Sequence, residues 1–336
     1  MNNKPVVMSI QSYDYMLDAF LKYDVDVMRP ERKLFKDGES YHRMPDLSDR
    51  GLILIGGTID DSSTLELYDM ASHASNTARS MKIIVPFYGY ATMERAVNSG
   101  EIVKAKSRAE LLSSIPRAQV KNTFLFLDLH TEGLPYYLHG VNVEHVYAKD
   151  AISEVIDDIK QMFLYAAETP ARKNPMVLAS TDGGRTKWIE SLAADFNMDS
   201  AFLTKRHTDD GTEVTSINAN VRGKVVCIFD DMTRSGSSLS NAANIYKKEG
   251  ASEIYAITTH APLTTNPTST IATLFHSKIK QLHVLDTHPR ALAVEHQEHN
   301  EFFIVHYKTG EIFAKHLRLT LISEKPNELW KTESHL

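Results

Sequence analysis

The sequence predicts an α/β fold with two doubly wound parallel-sheet domains. Short apolar runs alternate with amphipathic helical segments along the chain, which is the pattern of a parallel sheet covered by helices on both faces. The apolar runs end in polar or glycine-rich turns. The length of 336 residues is sufficient for two ordinary domains of this kind.

Apolar runs that are predicted to form strands lie at residues 52–55, 83–85, 124–127, 176–179, 225–229 and 254–257. Helical patterns lie between them, at residues 65–74, 151–167 and 188–196. In open parallel sheets, ligands bind at the carboxyl ends of the strands. Unusual polar residues, such as His130 and Asp182, follow directly after these runs. We therefore expect the functional site at the strand ends.

A polar segment flanked by prolines, residues 168–175, separates the predicted helix at 151–167 from a new strand. This break predicts an N-terminal α/β domain at residues 1–150 and a C-terminal α/β domain at residues 151–309. The last residues, 310–336, are expected to return to the N-terminal domain.

The bulk composition excludes several classes of protein. The formal net charge of -6 argues against a general nucleic-acid surface, which needs a basic face. No run approaches the ~18 apolar residues that a membrane span needs, and the N-terminus lacks the apolar stretch of a secretory signal. The single cysteine, Cys227, fits a buried core residue in a reducing cytoplasm. We expect a cytoplasmic protein without nucleic-acid or membrane partners.

The most informative stretch is the apolar run before residue 230 and the loop that follows it. Asp230 and Asp231 come first, and a loop rich in hydroxyl groups follows. Ser237 or Ser238 is predicted to cap the next helix, which Gly250 ends. Amides at a helix start attract phosphate, and paired carboxylates can accept hydrogen bonds from sugar hydroxyls. The stretch indicates a site for a phosphorylated sugar; a capped helix behind two solvated acids is the alternative.

Other segments carry further candidate residues. The polar run 204–213 lacks a helical or strand period, so it is predicted to be a mobile loop that presents Lys205 and Arg206; a solvated hairpin tip is the alternative. Asp182 precedes two glycines and could cap a helix as well as bind a ligand. The Asp-Gly pair at 37–38 predicts a hairpin turn.

Taken together, the motifs resemble those of the ribose-phosphate pyrophosphokinase family, also called phosphoribosyl diphosphate synthetases. The similar segments cover nearly the whole chain in the order of the family: Phe35 to Glu39, Pro86 to Tyr90, Asp128-Leu129-His130, Ser180 to Gly184, Lys205 and Asp230-Asp231-Met232. The resemblance implies two domains of phosphoribosyltransferase type that face each other, with the active site between them.

The resemblance also implies a reaction. The β,γ-diphosphate of ATP is transferred as one unit to the anomeric hydroxyl of ribose 5-phosphate, which gives 5-phosphoribosyl 1-diphosphate and AMP. Mg²⁺ is the implied cofactor, and a homo-oligomer, either a dimer or a hexamer, is the implied assembly. Phosphoryl transfer depends mainly on positioning the reactants and neutralising charge on the moving oxygens.

The roles of the site residues are carried over from the family. The resemblance implies catalytic roles for Lys205, Arg206 and His130, and Mg²⁺ binding by His130 and Asp182. The residues implied to bind ATP are Phe35, Asp37, Glu39, Arg95 and His130, with the segment around Phe35 reaching the ATP site of a neighbouring subunit. The residues implied to bind ribose phosphate are Asp230, Asp231, Arg234, Ser235, Gly236, Ser237 and Ser238.

The chain departs from the family pattern at three places. Thr92-Met93-Glu94 stands where the family has Arg-Gln-Asp, whose arginine contacts the ATP phosphates. Ser99-Gly100 replaces a Ser-Arg pair that is linked to phosphate and regulatory sites, so control by ADP and phosphate is not expected. Arg234 replaces a carboxylate beside the 5-phosphate pocket, and its charge suits a more anionic acceptor such as ADP-ribose, which would serve NAD salvage.

Two other classes of function remain open. A phosphoribosyltransferase would share the 230–238 loop, but the Asp128-Leu129-His130 motif and the two-domain length argue against it. A non-catalytic regulatory relative of the synthetase is favoured by Thr92-Met93, whereas the retained Lys205 and Asp182 argue against it. Release of AMP from ATP distinguishes the diphosphotransferase from both.

Overall fold

The computed structural model describes residues 4–166, 176–184, 186–208, 211–294 and 304–322. Backbone contacts divide the chain into two compact units. One unit contains Met1–Val146 with Gly310–Leu336, and the other contains Tyr147–Thr309. The proline-flanked break at 168–175 lies outside the described residues.

The first unit is built on a parallel sheet. Its strands are β1 (Val6–Ser9), β2 (Asp26–Val27), β3 (Glu31–Leu34), β4 (Ser40–Arg43), β5 (Gly51–Ile55), β6 (Ser80–Val85), β7 (Thr123–Leu127) and β8 (Asn142–Val146). Six of these described strands pair in parallel in the order β2-β1-β5-β6-β7-β8. The other two, β3 and β4, form an antiparallel hairpin. The predicted runs at 52–55, 83–85 and 124–127 are therefore confirmed as strands β5, β6 and β7.

The second unit contains a second parallel sheet. Its strands are β9 (Met176–Ser180), β10 (Asp199–Ala201), β11 (Leu203–Thr208), β12 (Gly211–Ile217), β13 (Val225–Met232), β14 (Glu253–His260), β15 (Leu282–Leu285) and β16 (Ile304–Tyr307). Within the described ranges, the sheet order is β10-β9-β13-β14-β15-β16. The remaining strands, β11 and β12, form an antiparallel hairpin.

The described strands of the two sheets follow one topology. In each sheet, the first strand along the chain (β1 or β9) has the second (β2 or β10) on one side and the later strands on its other side. In each unit, the antiparallel hairpin comes in the chain just before the third strand of the sheet (β5 or β13). The order of the strands therefore reverses between β1 and β5 in the first unit and between β9 and β13 in the second. Such topological switch points are the preferred ligand sites of open α/β sheets. The predicted fold class, two doubly wound α/β domains, is confirmed.

Eight α-helices lie in the described residues; most of them connect parallel strands, and the last follows the final strand. They are α1 (Asp61–Ala74), α2 (Lys104–Ser113), α3 (Lys149–Ala166), α4 (Thr186–Asp195), α5 (Ser237–Lys248), α6 (Pro267–His276), α7 (Pro289–Leu292) and α8 (Gly310–His316). Their burial follows helical spacing, and in α5 the buried positions include Leu239, Ala243 and Tyr246. Gly250 ends α5 with φ +93°, as predicted. None of the helices in the described part of the chain combines the length and apolar character that crossing a membrane requires.

The core of the second unit is packed around β13. The indole of Trp188 stacks on the ring of Phe229 with 4.3 Å between centroids, and the buried Tyr246 hydroxyl donates a hydrogen bond to the carbonyl of Ser180 at 3.0 Å. Cys227 is fully buried in this strand, and burial raises the pKa of its thiol to about 12. The thiol is therefore an apolar core group, as predicted, and not a nucleophile.

Strand β13 is longer than the apolar run predicts. It continues through both acids to Met232, because β14 extends beside it, with Asp230 opposite Thr258 and Met232 opposite His260. The prediction that the strand ends at Phe229 was therefore wrong. Asp230 and Asp231 therefore belong to a paired strand, and the pairing fixes the backbone positions of both residues.

The predicted mobile loop at 204–213 was also wrong. Strands β11 and β12 form an antiparallel hairpin in which Lys205 lies opposite Val214, Arg206 opposite Glu213 and His207 opposite Thr212. Threonine occurs four times in residues 203–217, and β-branched residues such as threonine favour strands. The backbone forms a hairpin, which was the alternative to a mobile loop. The side chains of residues 205–208 and 211–216 lie outside the described part of the structure.

The hydrogen bond of Tyr246 gives a test of the second unit. We expect Tyr246→Phe to lower the free energy of unfolding by about 1–2 kcal/mol, because it leaves the buried carbonyl of Ser180 without this donor. The matched control is Tyr136→Phe, whose ring is 84% exposed, and its effect should stay within about 0.5 kcal/mol. Urea denaturation monitored by fluorescence measures both. Equal effects of the two substitutions would contradict the assignment.

Candidate active site

Two acidic residues lie at the switch point of the second sheet. Asp230 and Asp231 occupy the carboxyl end of β13, and Thr181 follows the neighbouring strand β9. The Thr181 hydroxyl donates a hydrogen bond to Asp230 Oδ2 at 3.2 Å. Asp231 is 4% exposed, so the acids are not the solvated pair of the alternative interpretation.

The charge of Asp230 is destabilised in its surroundings. Burial, the interaction with Asp231 and the negative charge of Asp182 together raise the pKa of its carboxyl to about 7, and the hydrogen bond from Thr181 acts in the opposite direction. The site therefore holds more negative charge than its own cations and donors stabilise. Hydroxyl donors or a cation from a ligand would lower this cost.

Asp182 shapes the turn between β9 and α4. Its Oδ1 accepts a hydrogen bond from the backbone N–H of Gly184 at 2.9 Å, and α4 begins only at Thr186. Asp182 therefore stabilises the glycine turn. The alternative from the sequence, that Asp182 caps the helix, was wrong. The negative charge of Asp182 contributes to raising the pKa of the Asp230 carboxyl, so the two carboxylates are near enough to repel each other.

The loop after β13 leads directly into α5. The N-cap of α5 is Gly236, not Ser237 or Ser238, and it supplies no side-chain cap. The N–H of Ser237 donates a long hydrogen bond of 3.4 Å to Ser235 Oγ. Gly236 has φ +77°, and a Cβ there would approach the side chain of Leu274 in α6 to 2.9 Å. Only glycine fits this left-handed, closely packed position. The prediction of a serine cap was wrong because the backbone geometry decides the cap here.

The hydroxyl groups of this loop surround the helix start. Ser235 Oγ and Ser237 Oγ lie 2.6 Å apart, and Arg234, Ser235, Ser237 and Ser238 are exposed. The carbonyl of Arg234 accepts hydrogen bonds from the backbone N–H of Thr264 and the hydroxyl of Thr270, both at 3.1 Å. The loop backbone is therefore fixed, and the uncapped start of a helix of 12 residues can bind a phosphate group.

A basic group beside this loop escaped the sequence analysis. Burial, and to a smaller extent the nearby Arg290, His260 and Arg234, together lower the pKa of His288 to about 3. The Thr287 hydroxyl donates to the Thr259 carbonyl at 2.8 Å, so it accepts from His260 Nδ1 at 2.9 Å. The four basic residues come from the ends of β13, β14 and β15, which only the fold brings together.

In the first unit, His130 follows β7. Asp128 has φ +39°, a left-handed conformation that is rare for a residue other than glycine. Its N–H donates to the Val146 carbonyl at 3.0 Å, and the N–H of Leu129 donates to His145 Nε2 at 3.1 Å. The end of β8 thus fixes the turn that carries His130. His145, which sequence reasoning missed, is the side chain that positions this turn.

The hairpin β3–β4 carries the predicted adenine-binding residues. Its turn is confirmed, with Gly38 at φ +95° and Asp37 Oδ1 accepting from the Glu39 N–H at 3.1 Å. The ring of Phe35 is 50% exposed. At the base of the hairpin, Arg32 donates to Asp14 at 3.0 Å and to Glu66 at 2.9 Å. The hairpin is therefore attached to α1 and to the helical segment after β1, while its tip faces solvent.

The other predicted residues of the nucleotide site lie apart from this tip. Arg95 belongs to the irregular segment between β6 and α2, where its side chain is 80% exposed and 3.7 Å from Glu94. His130 lies at another strand end. The structure brings together Asp182, Asp230, Asp231 and the 234–238 loop in the second unit, and Phe35, Asp37 and Glu39 on one turn in the first.

The donor set fits Mg²⁺ better than a transition metal. Among the described residues, no three His, Cys, Asp or Glu side chains form a ready-made metal cluster. Mg²⁺ is commonly held by one or two carboxylates together with substrate phosphates, and the repelling carboxylates of Asp182, Asp230 and Asp231 provide suitable oxygen atoms. The imidazole of His130 is a less usual ligand for this ion.

Comparisons with known proteins agree with this architecture. The N-terminal domain of ribose phosphate pyrophosphokinase matches residues 7–115, and the phosphoribosyl synthetase-associated domain matches residues 192–301. A solved phosphoribosylpyrophosphate synthetase from Mycobacterium smegmatis has a TM-score of 0.75 and 21% identity, covering 94% of this chain and 98% of that one. It supports the fold.

Two curated relatives carry the family assignment. The ribose-phosphate pyrophosphokinase of Hyphomonas neptunium is 30% identical over 254 residues, which are 73% of this chain and 76% of the relative. That of Thermoplasma volcanium is 26% identical over 261 residues, which are 77% of this chain and 83% of the relative. As the order of its motifs predicts, the chain belongs to the ribose-phosphate pyrophosphokinase family, a family of ATP-dependent diphosphotransferases.

Proposed function

We propose that this enzyme transfers the β,γ-diphosphate of ATP to the anomeric hydroxyl of ribose 5-phosphate, with 5-phosphoribosyl 1-diphosphate and AMP as products. The observation that carries the proposal is the pairing of Asp230 and Asp231 with an uncapped helix start at one switch point. A vicinal diol and a phosphate are the two groups that such a site can bind together.

The acceptor is oriented by both halves of this site. The carboxylates of Asp230 and Asp231 accept hydrogen bonds from the ribose 2- and 3-hydroxyls, which supply donors where burial and mutual repulsion destabilise the charges. The 5-phosphate binds at the start of α5, against the loop of Ser235, Ser237 and Ser238. Holding the sugar at both ends fixes the direction of its anomeric hydroxyl.

The nucleotide donor is assigned to residues of the first unit. His130 contacts the triphosphate, Arg95 binds a phosphate, and Phe35, Asp37 and Glu39 of one chain contact the adenine bound to a neighbouring chain. The exposed ring of Phe35 at the tip of an anchored hairpin supports this role. The proposal implies a homo-oligomer, because two chains would contribute residues to each nucleotide site.

Mg²⁺ is the proposed cofactor, with Asp182 and His130 as its protein ligands. When bound, it neutralises charge on the phosphate oxygens during transfer. Lys205 and Arg206 are proposed to supply further positive charge. They lie on the strand β11, opposite Val214 and Glu213, so closure would move a paired hairpin and not a loose loop.

A second candidate acceptor is ADP-ribose, which would place the enzyme in NAD salvage. The observation that favours it is the basic group of Arg234, His260, His288 and Arg290 beside the loop. Its two arginines, Arg234 and Arg290, could bind a second phosphate attached to the 5-phosphate, since arginine binds phosphate oxygens strongly. The low pKa of His288 leaves its imidazole uncharged at neutral pH. The same chemistry on the anomeric hydroxyl would give ADP-ribose 1-diphosphate.

The acceptor can be identified by supplying the purified protein with ATP, Mg²⁺ and one acceptor at a time. We expect AMP release and a new sugar 1-diphosphate signal in ³¹P NMR with ribose 5-phosphate. Turnover with ADP-ribose and none with ribose 5-phosphate would establish the second candidate. Absence of AMP with both acceptors would contradict a diphosphotransferase and favour a regulatory relative.

Lys205→Ala tests the hairpin. Loss of a cation at the transition state should lower kcat by at least about 100-fold while the Kd of each substrate changes little. Lys248→Ala, on the exposed end of α5, is the control and should keep kcat within about twofold. Steady-state kinetics and equilibrium binding separate the two effects. Near-normal kcat for Lys205→Ala would remove this residue from the mechanism.

A further inference from the structure

We propose that Lys104, held over the ring of Tyr90 at the carboxyl end of β6, binds a phosphate group of the nucleotide donor, and that Asp61 and Arg108 position it. The inference rests on the proposed function and extends it to residues to which neither motif nor comparison gives a role. It assigns to helix α2 the positive charge that the chain lacks at Thr92.

Tyr90 is the centre of the group. It follows β6 and has φ +60°, a left-handed conformation that is strained for an aromatic residue. Its hydroxyl donates to Asp61 Oδ1 at 2.8 Å, and the guanidinium of Arg108 donates to the same carboxylate oxygen. Such strain persists only where neighbouring contacts hold the residue, and it concentrates at functional sites.

Two cations share the ring of Tyr90. Lys104 Nζ lies 4.9 Å and Arg108 Cζ 5.0 Å from its centroid, within the range of cation–π attraction. Asp61 pairs with Arg108, whereas no described carboxylate lies within ion-pair distance of Lys104. The Nε of Arg108 is buried and has no hydrogen-bond partner among the described residues. The group therefore has one positive charge in excess and an unused donor.

The position of the group matches that of a ligand site. The amide of Gly89 donates to Thr58 Oγ1 at 2.7 Å, and a Cβ at Gly89 would lie 1.8 Å from the Thr58 carbonyl oxygen. This contact fixes the end of β6 against the end of β5. Strand β6 also pairs with β7, whose end carries His130, so both segments lie at one edge of the sheet.

The start of α2 is joined to the turn that lacks the family arginine. The N–H of Met93 donates to the Tyr90 carbonyl at 2.8 Å, and the N–H of Ala105 donates to the Met93 carbonyl at 3.4 Å. Lys104, adjacent to Ala105, is therefore beside Thr92. A lysine ammonium can replace an arginine as a point charge for phosphate, although without its two-pronged geometry.

Equilibrium binding of α,β-methylene-ATP, in which the bond to be cleaved is blocked, tests the proposal. We expect Lys104→Met to raise its Kd by about tenfold or more, with the Michaelis constant of the acceptor unchanged. Lys104→Arg should retain most of the affinity because it keeps the charge. The matched control is Lys106→Met, since Lys106 lies 3.8 Å from Glu110 on the same helix and should bind nucleotide as the wild type does.

The outcomes separate this inference from the proposed function. An unchanged Kd for Lys104→Met overturns the inference. If the same variant keeps its nucleotide affinity but loses a response to added inorganic phosphate, the site belongs to free phosphate and the inference is also overturned. If Lys104→Met weakens binding of the analogue but the wild-type protein releases no AMP with any acceptor, the proposed function is contradicted and the inference about Lys104 is not.

Discussion

The candidate site depends on the pairing of β13 with β14 beyond the apolar part of β13. This pairing carries the backbone of Asp230 and Asp231 to the switch point as regular strand, opposite Thr258 and His260. Thr181 and Asp182 from β9 approach from the other side. The sheet thus holds carboxylates together at a cost in electrostatic free energy, and a ligand that brings hydroxyl donors or a cation offsets that cost. Under the proposed function, this differential binding would favour a sugar diol over an apolar group.

The described strands of both units follow one topology, but the units use their strand ends differently. In the second unit the polar residues gather at the switch point between β9 and β13. In the first unit, Arg32, Asp14 and Glu66 occupy the corresponding region and attach the hairpin β3–β4. The nucleotide-binding residues proposed for the first unit, Tyr90's neighbour Lys104 and His130, lie instead near the ends of β6 and β7. Under this proposal, one scaffold carries a site at the switch point in one unit and beside it in the other.

The strands, the fold class and the family could be predicted from the sequence because apolar runs and ordered motifs are local signals. The hairpin at 203–217 could not, since it is mostly polar and shows no apolar alternation that would mark a strand. The cap at Gly236 depends on its close approach to Leu274, which is distant in sequence. The same is true of the basic group around His288, whose members come from three strand ends. Local patterns identify elements, whereas packing decides which side chains meet.

The most direct test of the central claim is the titration of the Asp230 carboxyl, followed by ¹³C NMR of labelled aspartate and assigned with Asp230→Asn. In the ligand-free protein we predict a midpoint near pH 7. An aspartate in the unfolded chain has a pKa of about 4, which is lower than this value. The contribution of Asp230 to the free energy of unfolding should therefore fall as the pH rises from about 4 to about 7. Saturation with the acceptor should lower the midpoint, since its hydroxyls stabilise the carboxylate. A midpoint near 4 in the ligand-free protein, unchanged by acceptor, would contradict the account.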